Sequence, residues 1–146
     1  MKVFNKVLTH KQLRQAIIKI SKRLGVNKIS FNKTGKKLRG SYECVNRNIY
    51  INLKQTKKDI LMTFFHELGH HMSIKRNRWV KYHHERLSAI SPAKIFFMEN
   101  KIDKVADELW RKYVCYKIWG RYKYAYPKSQ KQSIIKLFST GQYDTL

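Results

Sequence analysis

The sequence predicts a single α+β domain, and three observations carry that prediction. Segments of helical period at 9–25, 56–75 and 91–119 bracket a stretch in which apolar residues recur at every second position. The 146 residues fit the size that one core serves. The composition is 42% hydrophobic and 13% aromatic, enough apolar material to fill that core and to set disorder aside.

Each element has its own local warrant. Thr9 is an N-cap candidate, and Leu13, Ala16, Ile17, Ile20 and Leu24 repeat at helical spacing before Gly25 stops the helix. Lys11, Arg14, Lys19, Lys22 and Arg23 cover its other faces. Ile29 and Phe31 form a strand-like run, and Asn32 to Gly35 reads as a turn. Tyr42 to Val45 and Ile49 to Leu53 flank Asn46-Arg47-Asn48, whose asparagines tolerate the left-handed backbone of a tight loop. The expectation is a short antiparallel sheet of two or three strands.

Thr56-Lys57-Lys58-Asp59 resembles a capping box. The helix it opens runs to about Lys75, with Ile60, Leu61, Phe64, Phe65, Leu68 and Met72 on its apolar side. A basic connection, Lys75 to Lys81, leads to a short helix near His84 to Ile90. Ser91-Pro92 opens the next helix, which carries Phe96, Ile102, Val105, Ala106, Leu109 and Val114 and extends towards Trp119. Gly120 and Pro127 interrupt it, and Ile134, Ile135, Leu137 and Phe138 mark a final amphipathic helix.

Charge is the outlier. Thirty-two Lys and Arg against nine Asp and Glu leave +23, a balance that attracts DNA, RNA or other polyanions. No run approaches the roughly 20 apolar residues that span a bilayer, so no membrane span is expected. The N-terminus lacks the apolar run and small-residue cleavage site of a signal peptide. Cys44 and Cys115 stand apart, which excludes a disulfide framework or CxxC knuckle and fits a cytoplasmic protein. The glycine patterns of nucleotide-binding loops and the GxSxG elbow are absent. The Lys/Asn-rich composition suits a phage or mobile element.

The chemistry centres on His66-Glu67-Leu68-Gly69-His70. Residues four apart share a helix face, so both imidazoles can face one Zn2+. Glu67 is then placed as the catalytic general base, reaching a water rather than the cation. The motif lies in an apolar helix, where buried polar groups need partners. His71 points about 100° away from His70 and reads as a neighbour, not a ligand. Gly69 costs up to about 1 kcal/mol against Ala inside a helix, which close approach of another backbone would explain.

A third ligand must follow. Asp103 with Asp107 one turn on, Glu99 with Asp103 one turn on, and His83 or His84 all qualify, because Glu99, Asp103 and Asp107 share one helix face.

The strand pair, the HELGH helix and the later Asp103-Lys104-Val105-Ala106-Asp107 together resemble the compact zincin metallopeptidases of the ImmA/IrrE type, over about residues 40 to 116. In that family the acid before x-x-Ala is a Glu that binds zinc, so the resemblance implies Asp103 as third ligand, in place of Glu. Asp107 is then the acid that orients a ligating imidazole, with Glu99 and His83 as alternatives. The implied fold is a minimal zincin-like domain over residues 1–146. The implied activity is zinc-dependent hydrolysis of peptide bonds in a protein substrate, such as a repressor. A second resemblance is to the SprT-like group, through Gly40-Ser41, Ile49 to Asn52 and His83 as a third histidine; it implies proteolysis near DNA.

Segment 111–146 is basic, aromatic and helical by pattern. Arg111, Lys117, Trp119, Arg121, Tyr122, Lys123, Tyr124 and Lys128 combine cations for phosphates with rings for bases, the make-up of a single-strand platform. Tyr113, Tyr116 and Trp119 also recur near helical spacing, which equally suits packing against the core. The competing function is therefore a basic nucleic-acid-binding module with a structural or inactive zinc site.

Overall fold

The computed structural model describes residues 2–32, 38–76, 81 and 92–116. Helix α1 (His10–Arg23) begins at Thr9, whose hydroxyl accepts from Gln12 N while the Gln12 side chain accepts from Thr9 N. Leu24 caps its other end, and Gly25 follows at φ +84°, a conformation a Cβ would strain. Strands β1 (Lys28–Asn32), β2 (Gly40–Glu43) and β3 (Asn48–Asn52) come next. Helices α2 (Lys57–Arg76) and α3 (Pro92–Tyr113) complete the described elements. The result is an α+β fold with a small sheet.

The sheet corrects one expectation. Its order is β1-β3-β2, with β2 antiparallel to β3 but β1 parallel to it, so the sheet is mixed rather than antiparallel. Ile29 faces Ile49 and Phe31 faces Ile51 in the parallel pair; Tyr42 faces Ile49 in the hairpin. A tight connection forces β2 and β3 to run in opposite directions, whereas β1 lies on the other edge of β3 from β2. Alternating apolar residues specify a strand and its faces, not its direction.

The hairpin turn is also built differently. Arg47, not either asparagine, holds the left-handed conformation at φ 57°. Asn46 instead donates its side-chain amide to Glu43 Oε1 at 2.7 Å. Val45, read as the end of a strand, lies beyond β2 and is exposed.

Helix α2 is buried on nearly every side because the sheet, α1 and α3 all pack on it. Ile60, Leu61, Phe64, Phe65 and Leu68 join Leu13, Ile17 and Ile20 of α1, Ile49 and Ile51 of β3, and Ala106, Leu109 and Trp110 of α3 in one core. Each of the Leu, Ile and Phe side chains contributes about 1.5–3 kcal/mol by leaving water. Phe4 belongs to that core too, fully buried, with its ring 5.7 Å from Phe65. Val3 and Phe4 donate their backbone N–H groups to Tyr113 O, and Cys115 N donates to Phe4 O.

Those last bonds correct the end of α3. The sequence extends the helix towards Trp119, but it stops at Tyr113, and Val114 pairs with Phe4 instead. Tyr113 is buried and stacked on Phe65, and Tyr116 packs at the core edge, where its carbonyl accepts from Trp110 Nε1. The expected helices at 84–90 and 134–138 lie outside the described residues. Among the described residues, no helix is long and apolar enough to cross a membrane.

Candidate metal centre

Three elements meet at the HELGH turn of α2. A Cβ on Gly69 would stand 3.0 Å from Ile102 O and 3.1 Å from Ile102 Cγ2, so any side chain there would push α3 back by a few tenths of an ångström. The crossing turns Glu99 and Asp103, one helical turn apart, onto the imidazoles of α2. On the other side, a Cβ on Gly40 of β2 would meet Thr63 Cγ2 at 2.5 Å and Tyr50 O at 2.7 Å. The same point lies 3.7 Å from Glu67 Cγ, so β2 rests directly on the helix at Glu67.

The side chains converge accordingly. His66 Nε2 and His70 Nε2 face each other at 3.3 Å. Glu99 spans both, with Oε2 2.9 Å from His66 Nε2 and Oε1 3.4 Å from His70 Nε2. The other nitrogen of His66, Nδ1, lies 3.2 Å from Asp103 Oδ1. His66, Glu67, His70 and Glu99 are all less than 10% exposed.

The electrostatics follow from that burial. For His66, burial opposes the charged form, but the Asp103 and Glu99 hydrogen bonds outweigh it, with Glu67 adding Coulombic pull, and its pKa rises to about 10. Burial would raise the Glu99 carboxyl, yet the neighbouring His70 and His66 hold it well below the usual carboxylate range. Burial pushes Glu67 up, against the pull of both histidines. The site therefore holds positive charge between carboxylates.

The donor set fits a cation. His66, Glu67 and His70 can each offer a ligand atom within 4.8 Å of the others, and this buried group can hold a metal ion. Two further features suit one. Glu99 Oε2 is fully buried and aimed at the facing imidazoles, 2.9 Å from His66 Nε2. Two imidazole nitrogens facing each other at 3.3 Å need a shared proton or a cation between them, since two bare lone pairs repel.

Around this centre, Tyr42 of β2 stacks near-parallel to His70, with centroids 6.4 Å apart, and its hydroxyl reaches His71 Nδ1 at 2.8 Å. His71 Nε2 lies 2.8 Å from Leu24 O, which fixes the tautomer: Nε2–H donates to that carbonyl, and Tyr42 O–H donates to Nδ1. Burial lowers the His71 pKa, and burial raises that of Tyr42 to about 12, so both are neutral near pH 7. Lys75 also donates to Leu24 O, at 3.1 Å. His71 is thus a strut between α1, α2 and β2, away from the facing pair.

The other site candidates fall as follows. Asp103 stands at the Nδ1 side of His66, whereas Glu99 stands at the facing Nε2 atoms. Asp107 is not brought to the histidines; it pairs with Arg111 at 2.9 Å on the outer face of α3. Arg111 is therefore engaged within its own helix, with its guanidinium largely exposed. His83, Lys117, Trp119, Arg121, Tyr122, Lys123, Tyr124 and Lys128 lie outside the described residues. The sequence reading missed Tyr42, which carries no motif and reaches the site only through the hairpin's register.

Comparison with protein families, with curated proteins and with solved structures finds no match to this chain.

Proposed function

We propose that the protein is a zinc-dependent metallopeptidase in which His66, His70 and Glu99 hold the ion, Glu67 is the general base and Asp103 orients His66. One observation carries the reading: the Glu99 carboxylate lies against both facing Nε2 atoms while Asp103 occupies the opposite nitrogen of His66. Two nitrogens and one carboxylate are a donor set that catalytic zinc uses. The ImmA/IrrE resemblance remains part of the proposal, with the liganding acid one helical turn earlier than the Asp103 register.

Zinc bound there supplies a Lewis acid that polarises the scissile carbonyl and lowers the pKa of a bound water to about 7. The chain does the rest. Asp103 accepts the Nδ1 proton of His66, which leaves Nε2 as the electron-pair donor and stops the ring from rotating. Glu67, adjacent to His66, accepts the proton of the attacking water and returns it to the departing amine. Its burial favours that exchange, because a carboxylate that gains a proton readily is a stronger base than an exposed one.

The substrate class is protein. The test is a pair of measurements on Glu67→Gln: zinc content by elemental analysis and cleavage of a mixed denatured-protein substrate. Retained zinc with lost cleavage supports the enzyme. Equal cleavage by wild type and variant, or none by either, favours the alternative module in which the ion is structural.

A further inference from the structure

We propose that the outer face of α1 binds the phosphate backbone of duplex DNA, independently of the metal centre. The starting observation is a charge asymmetry. All nine acidic residues lie from Glu43 onward, so the N-terminal strand-and-helix region carries Lys and Arg with no acidic neighbour in sequence. Five of the later acids are committed elsewhere: Glu67, Glu99 and Asp103 to the centre, Asp107 to Arg111, Glu108 to Arg76.

Helix α1 displays that charge in an ordered way. Leu13, Ile17 and Ile20 are buried, the far side carries Lys11, Lys19 and Lys22, and Arg14 is half-buried at its edge. At 100° per residue, Lys11, Arg14 and Lys22 fall within a band of about 80°, and Lys11 to Lys22 spans roughly 16 Å along the axis. Among the described residues, none of these four has an ion-pair partner.

The occupant follows from what the face lacks. Single-strand platforms stack bases on rings, and the exposed residues of α1 include no Phe, Tyr or Trp. A membrane-surface helix lays a broad apolar flank into the lipid, and on α1 Leu13, Ile17 and Ile20 are spent in the core, leaving Ile18 as the one large apolar side chain outside it. A free basic helix face can lie along or enter the wide major groove of B-form DNA, whereas the deep, narrow groove of duplex RNA excludes it. Contacts would be to phosphates, so binding is sequence-independent and steeply salt-dependent.

The experiment compares two variants of equal net charge, K11Q/R14Q/K22Q on α1 and K54Q/K101Q/K104Q elsewhere on the surface, with folding checked by circular dichroism. Affinity for random-sequence duplex DNA is read by fluorescence anisotropy across a salt series, with duplex RNA, single-stranded DNA and phosphatidylserine vesicles as parallel probes. The α1 variant should lose about tenfold or more in affinity near 0.1 M salt. Its log–log salt slope should become shallower by about 2 to 3, near 0.9 per lost phosphate contact. The other variant should change little. Equal losses in both variants, no duplex DNA binding by wild type, or tighter binding to RNA, single strands or vesicles would each overturn the proposal.

Discussion

Asp103 Oδ1 lies 3.2 Å from Nδ1 of His66, on the side of the ring opposite the nitrogen that meets Glu99. One imidazole is therefore gripped by two carboxylates from the same helix, one turn apart. On the proposed reading their jobs differ, because only the Nε2 side faces His70.

That division predicts an order of metal loss. Glu99→Ala should abolish zinc retention through dialysis, as removal of a direct ligand does. Asp103→Ala should weaken zinc by roughly 10- to 100-fold, the cost of losing an orienting partner. Asp107→Asn should leave affinity unchanged, since Asp107 faces Arg111. Competition with a chromophoric chelator measures all three; a stronger effect from Asp103→Ala than from Glu99→Ala would return the third position to Asp103.

Metal uptake should release a proton. In the metal-free protein the His66 pKa rises to about 10, above the ordinary value near 6.5. That raised value stabilises the fold fully below about 6.5, and the contribution is lost as pH climbs through 10. A metal ion must displace the proton, so affinity should rise with pH up to about 10, by up to tenfold per unit for that one proton. Calorimetry at pH 7 in buffers of different ionisation enthalpy should show about one proton released per ion. No buffer dependence would contradict the protonated state of His66.

Gly69→Ala should destabilise despite the better helix propensity of alanine. The new methyl would meet Ile102 O at 3.0 Å, a backbone atom that can yield only by moving α3. Overpacking of this kind costs about 1–3 kcal/mol, against up to about 1 kcal/mol gained in propensity. A lower melting temperature together with weaker zinc binding is expected, because the displaced helix carries Glu99 and Asp103. A more stable variant with unchanged zinc would show that the helices are not locked at this contact.

Phe4→Ala should cost about 3–5 kcal/mol, the penalty for emptying a fully buried aromatic site. Thermal unfolding of the metal-free protein reads it directly. Val7→Ala, three residues on and exposed, should stay within about 0.5 kcal/mol and serves as the control.

Local residue chemistry determined a good part of this protein. The Thr9 cap and helical spacing of α1, the alternation of β3 and the four-residue separation of His66 and His70 are properties of neighbouring residues, and the structure carries each of them. Gly69 even signalled that some backbone must pass close by, because nothing local justifies glycine there. The identity of that backbone was not legible. Stacked acids at 99, 103 and 107 are equivalent by period, and only the crossing of α3 over α2 at Ile102 turns the first two inward and leaves Asp107 to Arg111. Strand direction, the burial of Phe4 and the early end of α3 at Tyr113 likewise depend on contacts between residues distant in the chain. Periodicity reports which side of an element is apolar; what that side packs against is fixed by the three-dimensional crossing of the elements.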